Sequence, residues 1–324
     1  MWVYFLFSCL TLTAAVLIRL KVIKVRTRWD RSPTCLVGKT AIVTGANCGL
    51  GFYTAQDLAK RGARVILACR SRERAEAARR QIVRATHNQN VHVRIVDFAS
   101  LKSVREFAKE INSSEERLDI LVNNAGALIF EDDVTEDGLS KFMQVNHFGP
   151  FLLTELLIDL LKKSKPSRIV YVSSSSVTHG QIHLDNLNYS ANSRIARLTF
   201  SNYANSKLCH LATTNELAKR LRGSGITVNS LDPGTVRTEV TRNLNIMTQG
   251  LFRILASFFK ISEEGAQTSI YLAVSDDVQD VTGKYFYNCA LSEMPSTAID
   301  STLNRKVWEK SAELVHLTHT ESTL

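Results

Sequence analysis

No CxxC pair occurs in this chain, and its six cysteines, Cys9, Cys35, Cys48, Cys69, Cys209 and Cys289, are scattered with no histidine at ligand spacing. That pattern excludes a zinc site and a small disulfide framework, so free thiols in a reducing compartment are expected and no metal is. A basic stripe and an RNA-binding motif are missing too. The net charge is +9, but Arg19, Lys21, Lys24, Arg26, Arg28 and Arg31, offset by Asp30, confine +5 of it to thirteen residues. What remains is mildly basic, and nucleic acid is not an expected partner. No internal repeat, low-complexity tract or long linker interrupts the 324 residues, and 44% apolar with 22% charged residues is enough for a sizeable core.

What is present begins with "WVYFLFSCLTLTAAVLI", Trp2–Ile18, an apolar run without charge. At 1.5 Å per residue it reaches about 25 Å, short of a hydrocarbon core of about 30 Å unless Leu20 and snorkelling basic side chains extend it. A cleaved signal peptide is the rival reading. No basic residue precedes the run and no small-x-small site follows it. The expectation is an uncleaved anchor over residues 1–20, a basic juxtamembrane linker over 21–37, one domain over 38–315 and a short tail over 316–324. The basic cluster puts everything after residue 20 on the cytosolic face.

From Lys39 onward short β-branched runs alternate with amphipathic segments. Strands are expected over 40–44, 64–69, 91–96, 119–123, 168–173 and 226–231, and helices over 50–61, 72–86, 101–113, 136–163 and 202–222. This alternation implies an α/β fold, a Rossmann-type doubly wound parallel sheet with helices on both faces. "TGANCGLG", Thr44–Gly51, joins the first strand to the first helix. Glycines at 45, 49 and 51 permit a tight turn and let backbone approach a pyrophosphate at the helix N-terminus. After the second strand comes "ACRSRER", with no acid at the position where NAD-binding chains carry a ribose ligand. Arg70 can pair with a 2′-phosphate, which favours NADP(H) over NAD(H). Arg72 and Arg74 read as the start of a solvated helix.

"TGANCGLG", "NNAG" (Asn123–Gly126), "VNHFGPFLL" (Val145–Leu153), "VSSSS" (Val172–Ser176), "YANSK" (Tyr203–Lys207) and "DPGTVRTE" (Asp232–Glu239) occur in that order. Together they resemble the short-chain dehydrogenase/reductase family over about residues 38–290. The "ACR" after strand two, "VNHFGPFLLT" and the N-terminal run resemble its membrane-anchored retinol dehydrogenase branch. The resemblance implies that Gly45, Asn47, Gly49, Leu50, Gly51 and Arg70 hold the cofactor and that Asp97 meets the adenine. It also implies Asn124, Ala125 and Gly126 on the cofactor side of strand four, with Pro233, Gly234 and Thr235 beside the nicotinamide. An endoplasmic reticulum membrane and a homodimer through helices 136–163 and 202–222 are implied as well, an anchored monomer being the alternative to the dimer.

Tyr203 and Lys207 stand four residues apart, one helical turn, on the same face. A phenol with a pKa of about 10 is a poor base at neutral pH, and a nearby ammonium favours its phenolate. Lys207 is therefore expected to activate Tyr203 and to hold the nicotinamide ribose. The family pattern adds a serine bound to the substrate oxygen, taken as Ser174 over Ser173 or Ser175, and Asn146 completing a proton relay. The spacing of 29 positions from Ser174 to Tyr203 matches the retinol dehydrogenase type, whereas Pro150 departs from that branch, which often has histidine there. The apolar stretch 244–265 reads equally as a packed amphipathic helix or as a lid over a lipid substrate. The implied activity is NADP(H)-dependent interconversion of a lipophilic aldehyde or ketone and its alcohol, retinal/retinol first. A steroid, polyprenoid or long-chain aldehyde is the alternative substrate. The intact quartet Asn146, Ser174, Tyr203 and Lys207 argues against a non-catalytic cofactor-binding adaptor.

Overall fold

The computed structural model describes residues 22, 27–127, 134–188, 201–236, 259–322 and 324. Residues 1–20, and with them the expected anchor, lie outside this set, as does most of the stretch 244–265. Among the described residues no helix is long and apolar enough to cross a membrane.

Strand β1 (Thr40–Thr44) shows how the sequence builds the layers. Its alternate side chains go to opposite faces: Ala41 and Val43 pack into one apolar cluster, and Ile42 into the other. Helices α1 (Gly49–Lys60), α2 (Arg72–Thr86) and α6 (Ser262–Val274) cover the first face. Helices α3 (Leu101–Ser114), α4 (Gly149–Lys163), α5 (Ser201–Arg220) and α7 (Ser301–Leu314) cover the second. Because both faces are covered, β2 (Arg64–Cys69), β4 (Ile120–Asn123) and β5 (Ser167–Val172) read as continuous apolar runs rather than alternating ones.

The remaining strands are β3 (Val91–Ile95), β6 (Ile226–Asp232), β7 (Tyr285–Tyr287) and β8 (Ala290–Ser292), and the sheet order is β3-β2-β1-β4-β5-β6-β7-β8. All neighbours pair in parallel except β7 with β8, which are antiparallel. The chain steps outward from β1 to β3 and returns on the other side at β4. The crevice between the carboxyl ends of β1 and β4 is therefore the topological switch point, where such sheets bind ligands. The expected strands fall within one residue of those observed; β7 and β8, α6 and α7 were not expected. The helix expected from 136 begins at Lys141, and a π-helical turn, Gln144–Phe148, separates its first turn from α4.

Residues 27–37 are fastened along α6. The Arg28 N–H donates to Asn288 Oδ1 (3.0 Å), the Asp30 N–H to Gln267 Oε1 (3.1 Å) and Thr34 Oγ1 to the Val274 carbonyl (2.9 Å). Arg61 meets the Asp30 carboxylate at 2.8 Å. At the other terminus Arg105 pairs with Glu321 at 2.7 Å and Ser322 Oγ donates to Glu155 at 3.1 Å, so the tail is a seal over α3 and α4.

Candidate active site

The turn Thr44–Gly51 is set by close approach. Gly45 and Gly49 have φ of +65° and +58°, in the left-handed region that favours glycine. At Gly51 a Cβ would lie 2.4 Å from Asn124 Nδ2 and 2.6 Å from the Gly45 carbonyl oxygen. Asn124 Nδ2 donates to the Thr44 carbonyl (2.8 Å), and Thr44 Oγ1 accepts the N–H groups of Asn124 (3.0 Å) and Ala125 (2.9 Å). Asn124 thus laces the glycine turn to the end of β4.

Behind that turn lies a cavity of about 430 Å³. It brings together Gly45, Asn47, Gly49, Leu50, Arg70, Asp97, Asn124, Ala125 and Gly126, nine residues named from sequence, with Cys69 and Ser262 added by the fold. Gly51 is buried beneath it. Pro233, Gly234 and Thr235 lie beyond its walls, in a turn after β6 where the Gly234 N–H donates to Asp232 Oδ1 (2.9 Å).

The site suits a dinucleotide phosphate on the chain's own features. Among the described residues no side chain caps the N-terminus of α1, its first turn has no acid, and a Cβ built at Gly49 meets nothing within 4 Å beyond its chain neighbours and its own helix backbone. Unpaired N–H groups and the helix dipole there favour an anion. At the end of β2 Arg70 is exposed and makes no ion pair among the described residues. Its neighbour Cys69 is buried, which pushes the thiol up to about 11 and keeps it neutral. The five described cysteines form no disulfide with one another.

Across the switch point, β5 and α5 carry the candidate chemistry. Ser174, in the serine run after β5, lies within hydrogen-bonding reach of the Tyr203 phenol. Lys207 is buried, its Nζ lies 5.9 Å from the Tyr203 ring centroid, and it donates to the Val172 carbonyl at 2.9 Å. Burial pushes the Lys207 ammonium down to about 8. Burial also pushes the Tyr203 phenol up to about 12, against the Ser174 hydrogen bond and assisted by the Asp232 charge. This differs from the expectation that Lys207 would bring the phenol down. Desolvation outweighs the other influences, and Tyr203 is a protonated phenol at neutral pH.

Asn146 sits in the π-helical turn, with its amide clamped to the main chain of Ala127. Oδ1 accepts the Ala127 N–H (2.8 Å) and Nδ2 donates to the Ala127 carbonyl (2.9 Å). A Cβ on Gly126 would lie 3.2 Å from both Asn146 Oδ1 and Lys207 Nζ, so the glycine lets these two groups converge.

Two residues escaped the sequence reading. Asp232 accepts N–H groups from Gly234 and Ser175, bracing the serine loop, and Tyr285 donates to the Ser174 carbonyl at 3.3 Å. Only the aspartate of "DPG" offered a signal; Tyr285 lies on a three-residue strand. Lys260 was read simply as one charge in an apolar stretch. It is buried, its N–H donates to the Thr235 carbonyl (2.9 Å), and its Nζ reaches Asn288 Oδ1 at 3.3 Å.

A phosphate-cradling glycine turn at the switch point, with a Ser–Tyr–Lys cluster across from it, defines a class, and the chain belongs to it: the short-chain dehydrogenase family, whose model matches residues 39–249. Within the family it falls in the retinol dehydrogenase-like branch. It is 44% identical over 286 residues to mouse retinol dehydrogenase 11, covering 87% of this chain and 88% of that one. It is 45% identical over 291 residues to human retinol dehydrogenase 13, covering 88% and 87%. Among solved structures, an uncharacterized protein from Mycobacterium paratuberculosis superposes with a TM-score of 0.68 at 30% identity, covering 88% of this chain and 96% of its own. A short chain dehydrogenase from Escherichia coli CFT073 complexed with NADPH gives 0.60 at 25% identity, covering 79% and 98%.

Proposed function

We propose that the protein is an NADP(H)-dependent oxidoreductase that interconverts a lipophilic aldehyde or ketone and its alcohol, with retinal/retinol as the leading pair. The observation that carries this reading is the Ser174–Tyr203 hydrogen bond beside buried Lys207, at the carboxyl edge of a sheet whose glycine turn accepts phosphate. When bound, the nicotinamide supplies the hydride for reduction and accepts it in oxidation. Ser174 Oγ holds the substrate oxygen, and Tyr203 gives its proton to that oxygen as negative charge develops. A phenol held protonated up to about 12 is ready as an acid and poor as a base, which favours carbonyl reduction at neutral pH. Lys207, pushed down to about 8, is mostly protonated at pH 7 and positioned to hold ribose hydroxyls. Asn146 connects this group to Ala127 and completes the relay. Arg70 takes the 2′-phosphate of NADP(H), the choice supported by the missing carboxylate at the end of β2.

The membrane is part of the proposal. The apolar run Trp2–Ile18 anchors the chain in the endoplasmic reticulum with the domain in the cytosol. Residues 27–28 join the fold at Asn288, after β7, on the same sheet edge as Tyr203. An anchor entering there keeps the site close to the lipid that dissolves its substrate. The redox reading is tested by purifying the full chain and following NADPH and NADH oxidation with retinal, decanal, a ketosteroid and a polyprenal. Turnover with NADPH and retinal above the rest is expected. Preference for the ketosteroid or polyprenal would move the substrate assignment, and no turnover with any carbonyl would sink the redox reading.

A further inference from the structure

Asn288 stands in the turn between β7 and β8 with φ at +52°, in the left-handed region that asparagine enters more readily than most residues. Its Oδ1 serves two segments far apart in sequence. It accepts the Arg28 N–H at 3.0 Å and the Lys260 ammonium at 3.3 Å. Both partners are donors, so the side-chain atom between them is the oxygen and not the amide nitrogen. The next residue fastens the turn to α6, the Cys289 N–H reaching Thr268 Oγ1 at 3.2 Å.

Lys260 carries the connection inward. Its main chain pairs with the segment after β6: the Lys260 N–H donates to the Thr235 carbonyl at 2.9 Å, and Val236 and Lys260 form an isolated parallel bridge. Its stem lies against Gly234. A Cβ built on that glycine would be 3.6 Å from Lys260 Cδ and Cε and 3.3 Å from Tyr287 Cε2, so the bare backbone is flanked by the lysine stem and the tyrosine ring. The Lys260 Nζ lies 5.2 Å from the centroid of that same ring, within cation–π range.

We propose that Lys260 is a positioning residue that joins the segment entering the fold at Arg28 to the turn Pro233–Thr235. Its stem and main chain hold the turn, its ammonium holds Asn288 Oδ1, and the same oxygen holds Arg28. This rests on the redox reading above, in which that turn lies beside the nicotinamide. Lys260 is buried, and burying an ammonium is costly unless its head meets an acceptor. Among the described residues no carboxylate lies at ion-pair distance from Nζ, so the Asn288 oxygen and the Tyr287 ring fix where the head sits.

The consequence reaches the redox cluster through geometry. The Gly234 N–H donates to Asp232 Oδ1 at 2.9 Å, so the turn that Lys260 flanks is continuous with the carboxyl end of β6. Releasing the ammonium loosens Asn288 at one end and the support of Gly234 at the other, and a coupling of this kind acts equally in both directions. A misplacement on the scale of 1 Å at the turn costs up to roughly a hundredfold in rate.

The test follows hydrogen–deuterium exchange of the peptide holding the Arg28 N–H, by mass spectrometry on the cofactor-free full chain in detergent micelles. Lys260→Met keeps a stem and removes the ammonium, and Asn288→Gly removes the acceptor at a φ that glycine accepts. Each should speed that exchange roughly tenfold, the scale of one lost hydrogen bond to a charged group, with exchange in α4 unchanged. The double variant should be no faster than Asn288→Gly alone, because both substitutions break one link. Asn288→Asp keeps the oxygen and should stay within about twofold of wild type. With NADPH and retinal, kcat in Lys260→Met should fall roughly tenfold. Wild-type exchange at Arg28 in Lys260→Met, or additive effects in the double variant, overturns the link, and wild-type kcat in Lys260→Met overturns the positioning role. Wild-type protein inert toward every carbonyl sinks the redox reading, while exchange in the cofactor-free chain still decides the link.

Discussion

Gly51→Ala puts the cofactor cradle under the most direct strain. The added methyl would lie 2.4 Å from Asn124 Nδ2 and 2.6 Å from the Gly45 carbonyl oxygen, both inside contact distance. Neither neighbour is the loose end of a flexible chain: Gly45 is backbone at the turn, and Asn124 Nδ2 is held by the Thr44 carbonyl at 2.8 Å. Overpacking of this kind costs about 1–3 kcal/mol, and losing the Asn124 hydrogen bond adds about 1 kcal/mol. For a domain of this size each kcal/mol lowers Tm by about 2–4 °C, so a fall of roughly 5–15 °C is expected. Because Asn124 and Gly45 both line the cofactor cavity, NADPH affinity should fall in parallel, by about tenfold for each 1.4 kcal/mol lost at the cradle. Gly49→Ala is the control. It meets no atom within 4 Å and bears only the left-handed backbone cost of about 1–2 kcal/mol. Differential scanning fluorimetry with and without NADPH, and an NADPH fluorescence titration, read both effects. Gly51→Ala with wild-type Tm and wild-type NADPH affinity would refute the reasoning.

Arg70→Ala removes one charge-assisted contact to a phosphate, worth roughly 2 kcal/mol; NADPH Kd should rise some thirtyfold while NADH binding stays put, and an unchanged NADPH/NADH ratio would count against the phosphate assignment. Glu155 is buried, and burial pushes its carboxyl up to about 7 from 4.5, outweighing the Ser322 hydrogen bond. Between those values the folded chain holds a proton that the unfolded chain has released, so stability falls as pH rises from 4.5 to 7, by roughly 3 kcal/mol in all. Glu155→Gln should flatten urea-melt stability across that window, and an unaltered slope would rule this source out.

How legible this was depends on the length and local chemistry of each element. Strands β1 to β6 and helices α1 to α3 showed in the sequence because each buries a continuous or periodic apolar set, and the helices begin at a glycine turn or a serine cap. β7 and β8 did not, since each has three residues, they join through Asn288 and Cys289 at positive φ, and β7 owes its place to pairing with β6 and β8 to pairing with β7. The residues named for a cofactor that line one cavity cluster at strand–helix junctions, where glycine and small polar residues stand out in a sequence. The protonation of the Tyr–Lys pair was not. Spacing places Tyr203 and Lys207 on one helical face, but only the packed structure reveals that burial opposes the phenolate.

The central claim is that the Tyr203 phenol supplies the proton to a substrate carbonyl beside bound NADPH. Tyr203→Phe removes that one oxygen and tests it most directly, in stopped-flow NADPH oxidation with retinal alongside an NADPH titration. The account predicts that kcat falls by about a hundredfold to ten-thousandfold, the range for losing a general acid, with NADPH Kd within about twofold of wild type. Turnover near the wild-type rate in that variant would contradict it.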